Sequence, residues 1–155
     1  MVNVWRTIFK RPQTTSTPNK LEGLPKLYSE AHEVLYSLST VFPFVLFPDK
    51  IIIRRNHVDL VTGIFFWSGS TTRVQIPDIR QVVLHYDPFF ATMEITPQGP
   101  LEHVLRVTFL WKSQAIRAKR LIAGLTECHL LKADFSKYSR RELLAYLEEI
   151  GKARE

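Results

Sequence analysis

The sequence predicts a mainly β fold with α, in which about seven antiparallel strands form a partly open barrel that one helix caps. Two observations predict this fold. Between residues 50 and 111, short segments of alternating apolar and polar residues are separated by turn-forming residues. From residue 112 onward the apolar spacing changes to that of an amphipathic helix. Consecutive strands with short connections favour an antiparallel meander.

The first predicted strand lies near Val34, where apolar and polar residues alternate as far as Ser39. Residues 41–47 are then continuously apolar apart from Pro43. Because proline has no N–H to donate to a ladder, we expect an edge strand or a bend there.

The other predicted strands share alternation and clear breakers at both ends. They are residues 50–55, 58–67, 71–76, 81–86, 91–96 and 104–111. Gly63 inside one of them indicates a bulge or a tight bend. In the last strand the alternation predicts one core-facing set, which comprises Leu105, Val107, Phe109 and Trp111.

Two helices follow the strands. In residues 112–125, one stripe holds Ala115, Ala118, Ile122 and Leu125. Near the C-terminus, Ser139 and Glu142 have the spacing of a capping box that begins a short amphipathic helix. Gly151 is expected to end that helix at its C′ position. Its apolar face suits packing on this chain or on a neighbour.

The composition of the chain divides it into three parts. Residues 1–28 are predicted to be a flexible basic arm, because residues 13–19 have no apolar side chain to bury. Residues 29–128 are predicted to form the barrel with its closing helix. Residues 129–155 are predicted to be a C-terminal extension with the short helix.

The formal net charge is +6 and is concentrated in two places, the arm and the long helix. Such patches predict an acidic partner, which could be an anionic membrane, nucleic acid or an acidic protein surface. The alternative is a basic surface that only maintains solubility. The candidate contact residues are Trp5, Arg6, Ile8, Phe9, Lys10, Arg11, Lys112, Arg117, Lys119 and Arg120.

Within the arm, Trp5, Ile8 and Phe9 have helical spacing and are flanked by basic residues. This composition is typical of a short interfacial membrane anchor. The alternative is a loose tail that packs Trp5 on the domain.

Several classes of protein are excluded. A single cysteine, Cys128, rules out an internal disulfide and a multi-cysteine zinc site, which favours a reducing compartment. No apolar run approaches the ~20 residues of a transmembrane helix, and the first residues lack a signal-peptide core. We therefore expect a cytoplasmic protein, soluble or peripheral to a membrane, without cofactor or metal.

Two His–Asp pairs are the strongest signal for chemistry. His57 with Asp59, and His85 with Asp87, each place both side chains on one face of a strand. Two such pairs on neighbouring strands could bind a metal or form an acid–base pair. The favoured interpretation is polar surface residues at the edges of turns. Cys128 is expected to be a buried or idle thiol.

Aromatic residues cluster at two hairpin ends, in residues 65–67 and at Phe89 and Phe90. Exposed there, they would suit a membrane interface or a protein groove. The favoured interpretation places them in the core, because a small barrel needs large side chains along its axis.

Residues 47–55, 63–65 and 73–82, with Ile76-Pro77 in the last segment, resemble bacterial pleckstrin-homology-like (PH-like) domains. The resemblance implies a binding module with no catalytic residues, and some members bind lipid headgroups through basic residues near the first strands. Lys50, Arg54 and Arg55 lie near that position. Alternation places Arg54 and Arg55 on opposite faces. The closing helix lacks the tryptophan typical of eukaryotic PH domains.

These observations predict a non-catalytic PH-like binding or scaffolding module, peripheral to an anionic membrane or bound to a partner protein. The alternative is a basic protein associated with nucleic acid. A third hypothesis, an enzyme, would use His57, Asp59, His85 and Asp87.

Overall fold

The computed structural model describes residues 33–65, 68–99, 103–134 and 137–154. It contains two antiparallel sheets and two helices. The first sheet has the order β1-β2-β3-β4 and the second the order β5-β6-β7. The elements are β1 (Val34–Ser39), β2 (Lys50–Arg54), β3 (His57–Phe65), β4 (Ser68–Gln75), β5 (Ile79–Tyr86), β6 (Phe90–Pro97), β7 (Leu105–Trp111), α1 (Lys112–Leu130) and α2 (Arg140–Lys152).

The predicted antiparallel meander is confirmed within each of the two sheets, and so is the alternation of apolar and polar residues that predicts it. In the β2–β3 ladder, Ile51 pairs with Leu60 and Ile53 with Val58. All four side chains are buried on one face of the first sheet. β-branched and aliphatic residues stabilise such a face by packing on their neighbours across the strands.

The predicted bulge at Gly63 is also present, because the β3–β4 register shifts between Gly63 and Phe65. A Cβ at Gly63 would lie 3.3 Å from the Cβ of Phe47. The glycine therefore lets the β1–β2 loop approach the backbone of β3 closely.

The two sheets are not closed into a barrel. A short 3₁₀ helix, Ile76–Asp78, connects β4 to β5, and in the described part of the chain no ladder joins those strands. A backbone hydrogen bond from the Val41 N–H to the Phe109 carbonyl, 2.9 Å long, links the β1–β2 loop to β7. The core lies between the sheets, where α1 contacts β1 and all three strands of the second sheet.

The predicted core-facing set of β7 is wrong for its last two members, Phe109 and Trp111. Met93 pairs with Val107 and Ala91 with Leu110, so β7 carries one more residue than β6 between these pairs. Phe109 has a φ of 56° within this bulge. A bulge reverses the faces beyond it. Leu110 is therefore fully buried, whereas Phe109 and Trp111 are exposed.

The predicted stripe of α1 is confirmed, and the helix extends beyond residue 125. Ala115, Ala118, Ile122 and Leu125 are all fully buried. The last turns of the helix add Cys128 to the core. The small side chains at the start of the stripe let the helix lie close to the sheets.

Helix α2 packs on α1 of the same chain, and its Leu143 and Leu147 are fully buried. The capping box is present: the Ser139 side chain accepts from the Glu142 N–H, and the Glu142 carboxylate accepts from the Ser139 N–H at 3.0 Å. The Ser139 hydroxyl also donates to the Glu142 carboxylate at 2.7 Å. This hydrogen bond, and to a smaller extent the one from the Ser139 backbone, lower the pKa of Glu142.

Gly151 does not end α2, contrary to expectation, because the helix continues through it to Lys152. Gly151 instead lies against the backbone of Arg120, and Gly124 lies against the backbone of Leu147. A Cβ at either glycine would clash with the facing helix. The two glycines therefore set a close crossing between α1 and α2.

Candidate functional site

An exposed group of aromatic side chains lies where the β1–β2 loop, the β5–β6 turn and the end of β7 meet. We call it the aromatic platform, and it comprises Phe44, Phe90, Phe109 and Trp111. Phe44 stacks on Phe109 with ring centroids 5.9 Å apart, and it meets Phe90 edge-on at 5.1 Å. Phe90 lies 5.4 Å from Trp111. The rings thus form one connected surface.

Backbone hydrogen bonds hold the three segments of the platform together. Besides the bond between Val41 and Phe109, the Lys112 N–H donates to the Phe89 carbonyl at 3.1 Å. At the base of the β1–β2 loop, the Asp49 N–H donates to Thr40 Oγ1, and Asp49 Oδ1 accepts from the Gly63 N–H at 3.2 Å. The loop is therefore anchored to β3 as well as to β7.

Phe42 and Phe89 flank the platform on the same loops, and each is 70% exposed. Phe44 is 58% exposed, Trp111 46% and Phe109 41%. The expectation that Phe89 fills the core is therefore wrong. Phe90 is only partly exposed, and its ring contacts those of Phe44, Phe109 and Trp111.

The sequence contained part of the signal for this platform. The Phe42-Pro43-Phe44 segment could have been recognised as aromatic residues in a stretch unable to form a strand. The outward turn of Phe109 and Trp111 had no such signal, because it depends on the bulge in β7.

Three of the four predicted basic residues of α1 lie on the side of the helix that faces β5, and the first of them, Lys112, directly follows Trp111 of the platform. Lys112 Nζ lies 4.5 Å from the centroid of the Tyr86 ring, a cation–π distance. About two turns further along, Lys119 and Arg120 line a groove of about 310 Å³. The other residues lining this groove are Leu84, Tyr86 and Ile116.

Arg117 is not part of this basic side of the helix. Its guanidinium forms an ion pair with Glu148 of α2 and lies 5.3 Å from the centroid of the Tyr36 ring. Burial, as the largest effect, raises the pKa of Tyr36, and Arg117 opposes that change. Arg117 therefore joins α2 to α1.

Six candidates from the arm lie outside the described residues, as do Phe66 and Trp67. The six are Trp5, Arg6, Ile8, Phe9, Lys10 and Arg11.

The basic residues singled out near the first strands have different surroundings. Lys50 is exposed. Arg55 is buried and forms an ion pair with Glu33, with Nη2 and Oε2 2.8 Å apart. Arg54 Nη1 lies 3.7 Å from Asp59 Oδ2. The two arginines therefore contribute to separate ion pairs within the fold.

The His57–Asp59 pair is buried, so its expected place on the surface is wrong. Asp59 Oδ1 accepts a 2.6 Å hydrogen bond from Arg73 Nε, and His57 Nε2 lies 3.6 Å from Asp59 Oδ2. Burial alone would raise the pKa of Asp59, but the hydrogen bond from Arg73 and the positive charges of His57, Arg73 and Arg54 lower it. The carboxylate thus holds an ion cluster together.

The second pair does not meet the first. His85 lies in the second sheet and is exposed, with its Nε2 3.9 Å from Glu94 Oε2. His57 and Asp59 lie in the first sheet. Within residues 33–65, 68–99, 103–134 and 137–154, no group of three or more His, Cys, Asp or Glu side chains could hold a metal ion.

Cys128 was expected to be a buried or an idle thiol, and it is buried. Burial first, and the neighbouring charge of Glu127 second, raise the pKa of its thiol. A raised pKa keeps the sulfur protonated and weakly nucleophilic. The thiol therefore acts as part of the apolar face of α1.

No family model matches the sequence, and no curated protein matches it either. Among the described helices, none is both long and apolar enough to cross a bilayer.

Proposed function

We propose that this chain is a non-catalytic PH-like binding module that docks on the surface of an anionic membrane. The order of elements supports the PH-like assignment: four antiparallel strands, then three, then a helix that packs on both sheets. This is the layout that the resemblance in residues 47–55, 63–65 and 73–82 implies.

The observation that carries the proposal is the groove between α1 and β5. Its polar groups are Tyr86, Lys119 and Arg120, and among the described residues that line it none carries a carboxylate. Lys112 lies next to Tyr86 at the start of the helix. Each Lys or Arg close to an anionic membrane contributes about 1 kcal/mol of attraction. The groove therefore suits the phosphate of a lipid headgroup.

The titratable clusters support a binding role over a catalytic one. Asp59 is held by Arg73 and Arg54, and the thiol of Cys128 is buried in the core. His85 lies in the other sheet from His57. The groups that an enzyme would have used are thus spread over the fold.

The test is co-sedimentation with phosphatidylcholine vesicles that do or do not contain phosphatidylglycerol. The Lys119→Glu variant replaces attraction by repulsion in the groove, so we expect roughly a tenfold or larger loss of affinity for the anionic vesicles. Lys137→Glu makes the same charge change at an exposed position just before α2 and is the matched control.

Equal weakening by Lys119→Glu and Lys137→Glu would show that only the net charge matters, and would contradict a specific groove. Failure of the unchanged chain to bind anionic vesicles would contradict membrane docking itself.

A further inference from the structure

We propose that the aromatic platform, together with the flanking Phe42 and Phe89, inserts into the membrane that the basic groove contacts, so that the β1–β2 loop and the β5–β6 turn face the bilayer. This inference rests on the proposed function and adds a penetrating apolar contact to it. The inserted side chains are Phe42, Phe44, Phe89, Phe109 and Trp111.

The exposure of the five aromatic side chains supports insertion. These five side chains keep between 41% and 70% of their surface accessible although the rings of three of them contact platform neighbours. Large contiguous apolar surface of this kind marks an interaction site in most proteins. The platform is therefore apolar surface that the other described residues leave largely exposed.

The strained backbone of Phe109 also supports a functional role for the platform. A φ of 56° is unfavourable for a bulky L-residue, which normally leaves this region to glycine or asparagine. The conformation turns Phe109 away from the core and onto Phe44, while Leu110 takes the core position. Strain that serves to expose a large aromatic ring is expected at a functional surface.

The charge of the neighbouring surface favours a bilayer as the occupant. Trp111 of the platform is followed directly in the chain by Lys112, and Lys119 and Arg120 lie further along the side of α1 that faces β5. Phenylalanine and tryptophan beside lysine form the usual composition of a surface that lies at the headgroup boundary of an anionic membrane. The acidic residue closest to the platform in sequence is Asp87 in the β5–β6 turn, and the next, Glu94, forms an ion pair with Arg106.

The test uses the full chain with Trp111 as its only tryptophan, made by Trp5→Phe and Trp67→Phe. We add phosphatidylglycerol vesicles that contain bromine-labelled acyl chains, which quench tryptophan fluorescence only at short range. Insertion predicts a blue-shifted emission of Trp111 on binding and strong quenching by the bromine label.

A second measurement does not depend on fluorescence. Phe89→Ser removes an exposed ring, so the melting transition should stay close to that of the unchanged chain. Its affinity for anionic vesicles should fall about tenfold. Leu130→Ser, at a similarly exposed residue at the opposite end of α1, is the matched control and should bind like the unchanged chain.

The outcomes separate this inference from the proposed function. If the unchanged chain binds, Lys119→Glu weakens binding, Trp111 is not quenched and Phe89→Ser binds normally, then insertion is wrong and headgroup docking stands. If the unchanged chain does not bind anionic vesicles, both are wrong. A dimer in solution that Phe89→Ser dissociates would also overturn insertion, because the platform would then be covered by a second copy.

Discussion

At the scale of single residues, Phe109 shows how a local cost can change the surface of a whole protein. Its positive φ belongs to a bulge that places Leu110 in the core and two aromatic rings outside. The left-handed conformation costs an L-residue roughly 1–2 kcal/mol. The ring contacts with Phe44 and Phe90 offset part of that cost.

Replacing Phe109 by asparagine, which tolerates this conformation, relieves the strain but removes the ring contacts. We therefore expect the free energy of unfolding to change by less than about 1 kcal/mol, whereas Leu110→Ala should lower it by about 2–5 kcal/mol. Urea denaturation of both variants checks this. A loss for Phe109→Asn as large as that for Leu110→Ala would show that Phe109 is a core residue.

Asp59 leads to a second prediction, which concerns pH. Its pKa in the folded protein lies below the ordinary 3.8, so its charge stabilises the fold above that pH, and this contribution is lost as the pH falls through the folded pKa. Asp59→Asn should cost about 1–3 kcal/mol at neutral pH, because it removes the charge that accepts from Arg73, whose half-exposed guanidinium remains partly solvated.

The difference in unfolding free energy between the unchanged chain and Asp59→Asn should shrink as the pH is lowered below about 4. Denaturant unfolding at several pH values measures it. A difference that stays constant from neutral to acid pH would mean that the charge of Asp59 contributes nothing to stability.

At the scale of elements, the strands and helices were predictable because the spacing of apolar residues differs between them. The alternation around Ile51 and Ile53 and the stripe from Ala115 to Leu125 both identify buried faces. Three features had no local signal. They are the bulge at Phe109, the burial of His57 with Asp59, and the continuation of α2 through Gly151, and each depends on what another element places opposite.

The close crossing of α1 and α2 predicts how a substitution at Gly124 changes stability. Gly124→Ala improves helix propensity by about 1 kcal/mol, yet the added methyl group would collide with the backbone of Leu147. We expect a net loss of stability of about 1–3 kcal/mol and faster proteolysis within α2. Ala145→Gly, at an exposed site of α2, is the control for propensity alone. A stabilised Gly124→Ala variant would contradict the close crossing.

At the scale of the whole molecule, a four-stranded sheet, a three-stranded sheet and α1 enclose one core, and α2 packs on the outside of α1. The basic residues of α1 were predictable from the sequence, but it did not show that they lie on different sides of the helix. Lys112, Lys119 and Arg120 lie on the side of α1 that faces β5, whereas Arg117 forms an ion pair with Glu148 of α2. The proposed membrane-facing side is thus where exposed aromatic and basic residues coincide.

Two kinds of acidic partner differ in what they offer the aromatic platform. Duplex DNA offers a dense negative charge but no apolar layer for the platform, whereas an anionic bilayer offers both. Both kinds of binding weaken with salt, so salt dependence cannot distinguish them. A competition at fixed salt can.

The most direct measurement is flotation of the unchanged full chain with phosphatidylglycerol-containing vesicles in the presence of excess duplex DNA. We predict that the protein floats with the vesicles and that pure phosphatidylcholine vesicles do not carry it. Protein that stays with the DNA, or that remains unbound beside anionic vesicles, would contradict the membrane-docking function.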